Sequence, residues 1–109
     1  MSEYAEFIEL FVDLWHQGLD DPARTQAQTL AWLLDGYART VYGRQCGAAA
    51  LSELAGDPPR FFDAYRRAFP IVDYQQIKPW IDRVVSGEVG ALLAEPPVAW
   101  AMTRGTTRG

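Results

Sequence analysis

Val98-Ala99-Trp100-Ala101-Met102 followed by Thr103-Arg104-Gly105-Thr106-Thr107-Arg108-Gly109 is the stretch on which the reading of this chain turns. An apolar run of strand type leads into a segment built only of glycine, threonine and arginine. Glycine lets backbone N–H groups approach an anion closely, threonine hydroxyls add neutral donors, and guanidinium adds charge-assisted bonds. The spacing therefore predicts a short strand and a phosphate-holding loop over 98–109. It is not a Walker loop, which needs four residues between its glycines and then Lys-Ser/Thr; the sole lysine here is Lys78. The plain alternative is a frayed terminal tail. A phosphate loop usually hands the backbone on to a helix that fixes its geometry, and in this sequence nothing follows Gly109.

Working back from the loop, the rest reads as helical. Tyr4, Phe7, Ile8, Phe11, Leu14 and Trp15 recur at steps of three and four, with Glu3, Glu6 and Asp13 read on the other side, which predicts an amphipathic helix from about Ser2 to Leu19 with Ser2 as its cap. Its apolar face is expected to turn toward the core. Asp20-Asp21-Pro22 ends that helix and starts a second, in which Ala23, Ala27, Leu30, Leu34, Tyr37 and Val41 repeat as far as Tyr42, with Gly43 as the stop. Residues 1–42 are thus expected to form an antiparallel helical hairpin. The heptad-like stripe of the second helix also admits weak self-association.

Gly43 to Gly47 read as a turn that holds Cys46, which is better taken as a small packed residue than as a nucleophile, because no base stands near it in the sequence. After Gly56-Asp57-Pro58-Pro59, residues 59–87 carry further helices. One runs from Pro59 to Ala68, with Phe61, Phe62, Tyr65 and Phe69 apolar and Arg60, Arg66 and Arg67 exposed. The next is opened by an Asp73/Gln76 capping box and runs to Gly87, with Pro79 expected to kink it or mark a new start. Val89 to Pro97 read as a loop. The fold class is therefore mainly α, four to five helices plus a short C-terminal strand.

Composition narrows the function. The chain has 109 residues, 49% of them hydrophobic, which suits one small domain. Fourteen acidic and ten basic side chains give a formal net charge of -4, which argues against a nucleic-acid partner. The acids crowd into the first third, and the bases lie toward the phosphate-like end. One cysteine and one histidine rule out a disulfide within the chain and a Cys or His metal cluster. The acidic N-terminus is unlike a signal peptide, and no apolar run reaches the roughly 20 residues of a membrane span, so a cytoplasmic protein without a membrane partner is expected.

The order of segments carries a further signal. Tyr42-Gly43-Arg44, then Phe69-Pro70-Ile71-Val72-Asp73-Tyr74, then Ile77-Lys78-Pro79-Trp80-Ile81-Asp82-Arg83, then Ser86-Gly87-Glu88, and last the strand and Thr/Gly-rich loop together resemble the N-terminus of the auxin-responsive promoter (Gretchen Hagen) family. Those proteins are acyl-acid amido synthetases of the adenylate-forming superfamily. The resemblance is clearest from Leu30 to Gly109. It implies that this chain is the helical N-terminal part of an α/β adenylating domain. It also implies that the loop wraps the phosphates of ATP while a carboxylate attacks the α-phosphate, before acyl transfer to an amine or thiol. Thr103, Gly105, Thr106, Thr107 and Gly109 match the family's loop, Arg104 stands where a small hydroxyl residue is usual, and Arg104 and Arg108 are possible accessory phosphate contacts.

In the family the acyl-acid pocket, the nucleoside contacts and the magnesium-binding carboxylate all come later in the chain. The resemblance therefore assigns no catalytic or metal-binding residue here, and ATP, Mg and the carboxylic acid are cofactor and substrates of the parent enzyme. A single N-terminal fragment, inactive by itself, is the expectation. A stand-alone helical protein-interaction domain is the alternative.

Overall fold

The computed structural model describes residues 2–102. Among them are six α-helices: α1 (Glu3–Asp20), α2 (Pro22–Tyr37), α3 (Val41–Gln45), α4 (Ala48–Leu51), α5 (Pro58–Ala68) and α6 (Tyr74–Val85). Two 3₁₀ turns, Ser52–Leu54 and Val89–Ala91, complete the order. The chain is mainly α, as its periodicity predicts.

Local chemistry sets most boundaries. Ser2 accepts a hydrogen bond from the Ala5 N–H at the head of α1, and Asp21 accepts one from Arg24 N–H where Pro22 opens α2. The capping box of α6 is formed in full: Asp73 Oδ1 accepts from Gln76 N–H at 2.9 Å, and Gln76 Oε1 accepts from Asp73 N–H at 2.9 Å. Helix α6 runs unbroken through Pro79, so no new start occurs there. It ends in a Schellman turn, in which Gly87 N–H donates to the Val84 carbonyl and Glu88 N–H to the Arg83 carbonyl. Gly87 takes φ +112°, which a side chain would resist.

The core is built on α2. Ala27 and Leu34 are buried with Ala48 and Leu51 of α4 and with Phe61 of α5, and Leu30, Phe62, Tyr65 and Phe69 pack round them. The heptad-like stripe of α2 is thus used inside the chain. Arg60, Arg66 and Arg67 stay exposed, as the spacing of α5 predicts.

Three boundary expectations are corrected. Helix α2 stops at Tyr37 rather than Tyr42, because Thr40 is wholly buried and its backbone turns to cap α3. Gly43 is no terminator; it lies inside α3, buried. A Cβ at Gly43 would collide with the Tyr37 carbonyl and would stand 2.8 Å from Tyr37 Cβ. Val89–Ala91 is a 3₁₀ turn with Ala91 fully buried, not an open loop.

The largest departure is α1, which buries none of its residues. It meets α2 at their junction, where Thr25 Oγ1 donates to the Gly18 carbonyl at 2.8 Å. The two helices touch at that junction, and the packed seam expected over residues 1–42 does not form. The radius of gyration is 17.6 Å, against about 13 Å for a compact chain of about 100 residues.

Among the described residues no strand is present. Val98 to Met102 have no regular structure, because a strand needs a neighbouring edge and no described segment supplies one. The remainder of the expected strand and loop, 103–109, lies outside the described residues.

Candidate functional site

Helix ends and aromatic rings converge on the side of the core that faces α6. Tyr37 comes from the last turn of α2, Tyr42 from α3, Tyr65 and Phe69 from the end of α5, and Trp80 from the middle of α6. Phe69 is the hub. Its ring centroid lies 6.3 Å from Tyr37, 6.2 Å from Tyr42 and 5.3 Å from Tyr65. Tyr42 meets Trp80 edge to face at 5.1 Å, a geometry in which the positive ring edge approaches the negative face.

Tyr37, Tyr42, Tyr65 and Phe69, with Leu34, Ile77 and Leu93, wall a cavity of about 260 Å³. A second, open cleft of about 300 Å³ lies between the end of α2 and residues 92–95, with Trp32, Tyr37, Arg39 and Glu95 on its walls. Burial raises the Tyr42 hydroxyl above its ordinary value, and the neighbouring Cys46 adds to the rise. Tyr42 is therefore a neutral hydrogen-bonding group at physiological pH. Cys46 is half-buried beside it, in keeping with a packing role.

A polar brace stands at the last turn of α6. Arg83 makes a two-pronged ion pair with Glu88, with both N–H···O contacts at 2.6 Å. Its guanidinium carbon also sits 4.8 Å from the centroid of Trp80. The hydrogen bond from Arg83 holds the Glu88 carboxyl below its usual range, and the same bond raises Arg83. Lys78 pairs with Asp82 at 3.0 Å one turn along the same helix.

The site residues named from the sequence fall elsewhere. Thr103, Arg104, Gly105, Thr106, Thr107, Arg108 and Gly109 all lie outside the described residues. Their lead-in is exposed: Val98, Trp100 and Met102 pack little against the helices. The cavity residues were legible in the sequence only as a core face, since their shared helical spacing says nothing of the space they leave between elements. Of the stretch Pro70 to Tyr74, Asp73 acts as a helix cap and Ile71 is fully exposed. Among the described residues no group of three or more His, Cys, Asp or Glu is placed to hold a metal ion, and no helix is long and apolar enough to cross a membrane.

Fold and geometry together define a small helical module whose described residues shape a cavity and pair no nucleophile with a base. Residues 15–109 match the GH3 family N-terminal domain, and the chain belongs to that family. It is 33% identical over 99 residues to a probable indole-3-acetic acid-amido synthetase, GH3.7, of Oryza sativa subsp. japonica, an alignment that covers 89% of this chain and 15% of the relative. It is 28% identical over 102 residues to a jasmonoyl–L-amino acid synthetase, GH3.3, of the same rice, covering 93% of this chain and 20% of that protein. The chain thus spans about a fifth or less of the length of these two relatives. No solved structure matches it.

Proposed function

We propose that this chain forms the N-terminal wall of an ATP-dependent acyl-acid amido synthetase, a cytoplasmic ligase that activates a small carboxylic acid as its acyl-adenylate and passes the acyl group to an amine or thiol. The observation that carries the reading is the family match over 15–109, which takes in the Thr/Gly-rich segment. The printed names of the rice relatives, amido synthetases acting on indole-3-acetic acid or joining jasmonate to amino acids, support the substrate class.

Within that reading Gly105 and Gly109 let backbone N–H groups close on the ATP phosphates, while Thr103, Thr106 and Thr107 donate from their hydroxyls. Arg104 and Arg108 add charge against the developing negative charge as pyrophosphate leaves. Magnesium and the acyl-acid pocket belong to the rest of the parent enzyme. The described helices serve as scaffold, and the exposed Val98, Trp100 and Met102 lead toward surface that the parent covers. Adenylyl transfer depends on positioning and on neutralising charge, so one wall alone is inactive.

The test is a chimaera in which this chain replaces the matched N-terminal stretch of the 33%-identical rice relative. Pyrophosphate exchange into ATP is then measured with indole-3-acetic acid. Exchange by the chimaera, its loss on Gly105→Val, and none from the isolated chain are expected. Exchange by the isolated chain, or a chimaera indifferent to Gly105→Val, contradicts the assignment.

A further inference from the structure

We propose that the cavity of about 260 Å³ between α2, α3, the end of α5, α6 and residues 92–93 is a binding site for a neutral, fused-ring aromatic molecule of the size of indole. The inference does not rest on the enzymatic reading. Leu34 closes the floor at 1% exposed, and Leu33 and Tyr37 stand at the mouth at 41 and 36%. Among the described residues every one round this space is leucine, isoleucine, phenylalanine or tyrosine. Their side chains offer the phenol hydroxyls of Tyr37, Tyr42 and Tyr65 and no charge, and the Tyr42 hydroxyl is already bonded with Cys46. Filling the space with water takes several molecules, each needing about two to four polar partners, which these walls do not supply. An apolar cavity of about 150 Å³ takes up benzene, so this larger one has room for a second fused ring. Apolar and aromatic walls with a few hydroxyls are the usual lining of a small-molecule site.

The approach sets the charge of the ligand. Leu33, Tyr37, Leu92 and Leu93 line both this cavity and the open cleft of about 300 Å³ beside it, so the cleft is the way in. Asp35 and Glu95 outnumber Arg39 on the cleft walls, and no cation lines the cavity, so a carboxylate entering it would lose its water without gaining a partner. The site therefore selects a neutral ring over an acid built on the same ring. A small molecule suits this space better than a covering protein surface. Five separate segments of this chain already wall it, and Asp35, Arg39 and Glu95 at the approach are all exposed, whereas the centre of a protein–protein contact is depleted of charge.

Calorimetric titration and thermal unfolding of the chain with indole test the proposal. Indole at about ten times its Kd should raise Tm by roughly 5–8 °C, and indole-3-acetate should bind about tenfold more weakly or worse. Ile77→Phe and, separately, Leu93→Phe put ring atoms into the cavity; each should keep the far-UV circular dichroism and abolish the rise. Nuclear Overhauser contacts from indole protons to the methyl groups of Leu34 and Ile77 locate the ligand without any substitution. Whether the rest of a parent enzyme fills the cavity is read on the chimaera with the rice relative, where indole binding sensitive to Ile77→Phe should persist. No binding of indole, equal binding of indole-3-acetate, absence of those methyl contacts, binding unchanged in both filled variants, or its loss in the chimaera each overturns the proposal. Pyrophosphate exchange reports on the phosphate loop separately, so either reading can fail without the other.

Discussion

Replacing Gly43 by alanine asks whether the junction between α2 and α3 is as tight as it looks. The added methyl would point into the Tyr37 carbonyl and would stand 2.8 Å from Tyr37 Cβ. Those are backbone and near-backbone atoms with no flexible end to swing aside. The same Tyr37 carbonyl already accepts from Thr40 N–H at 2.9 Å and from Thr40 Oγ1 at 2.8 Å. Relief of the clash therefore requires α3 to move away from α2, and both short bonds lengthen with it. Overpacking of a well-filled interior usually costs about 1–3 kcal/mol, and loss of a buried hydrogen bond about 1 kcal/mol more, so a destabilisation of about 2–4 kcal/mol is expected. For a domain of this size that lowers Tm by roughly 10–25 °C. Urea and thermal unfolding followed by far-UV circular dichroism measure it.

Two other glycines serve as controls for that experiment. Nothing lies within 4 Å of a Cβ built at Gly90, and its φ is not in the left-handed region, so Gly90→Ala should change stability by less than about 0.5 kcal/mol. Gly47 also has open space but sits at φ +78°, so alanine there should cost about 1–2 kcal/mol from backbone strain alone. A Gly43→Ala protein as stable as Gly90→Ala would refute the close approach of α2 and α3.

Two further outcomes are expected. Thr40→Val keeps the shape of a fully buried side chain but strips the hydroxyl that donates to the Tyr37 carbonyl and accepts from Gly43 N–H at 2.9 Å; the stranded N–H should cost about 1–3 kcal/mol in urea unfolding, while Thr40→Ser should recover most of it. Glu88 is held below its ordinary carboxyl value of 4.5 by the hydrogen bond from Arg83, so the unfolded chain binds that proton more readily than the folded one. The contribution of Glu88 is then present above its unfolded value and lost as pH falls through the folded one. A plot of Tm against pH from about 5 to about 3 should be shallower for Glu88→Gln than for the parent chain, and parallel curves would argue against the ion pair.

The sequence by itself determined what lies within about four residues of its own cause. Ser2, Asp21 and the Asp73/Gln76 box cap their helices because each bonds to a backbone group three residues away. The apolar periods of α2, α5 and α6 name their buried faces because a helix presents the same side every three or four residues. Segment order was likewise enough to point to the family. Tertiary structure alone decided the rest. The spacing of α1 announces an apolar face but not its neighbour, and no described element comes to cover it. Gly43 reads as a helix stop until the Tyr37 carbonyl is seen where a side chain would have to go. Tyr37, Tyr42, Tyr65 and Phe69 read as separate residues until α2, α3 and the end of α5 bring their rings round one cavity. The division follows from range: a hydrogen bond to a near neighbour in sequence is written into the local pattern, whereas a contact between distant segments exists only after the chain has folded.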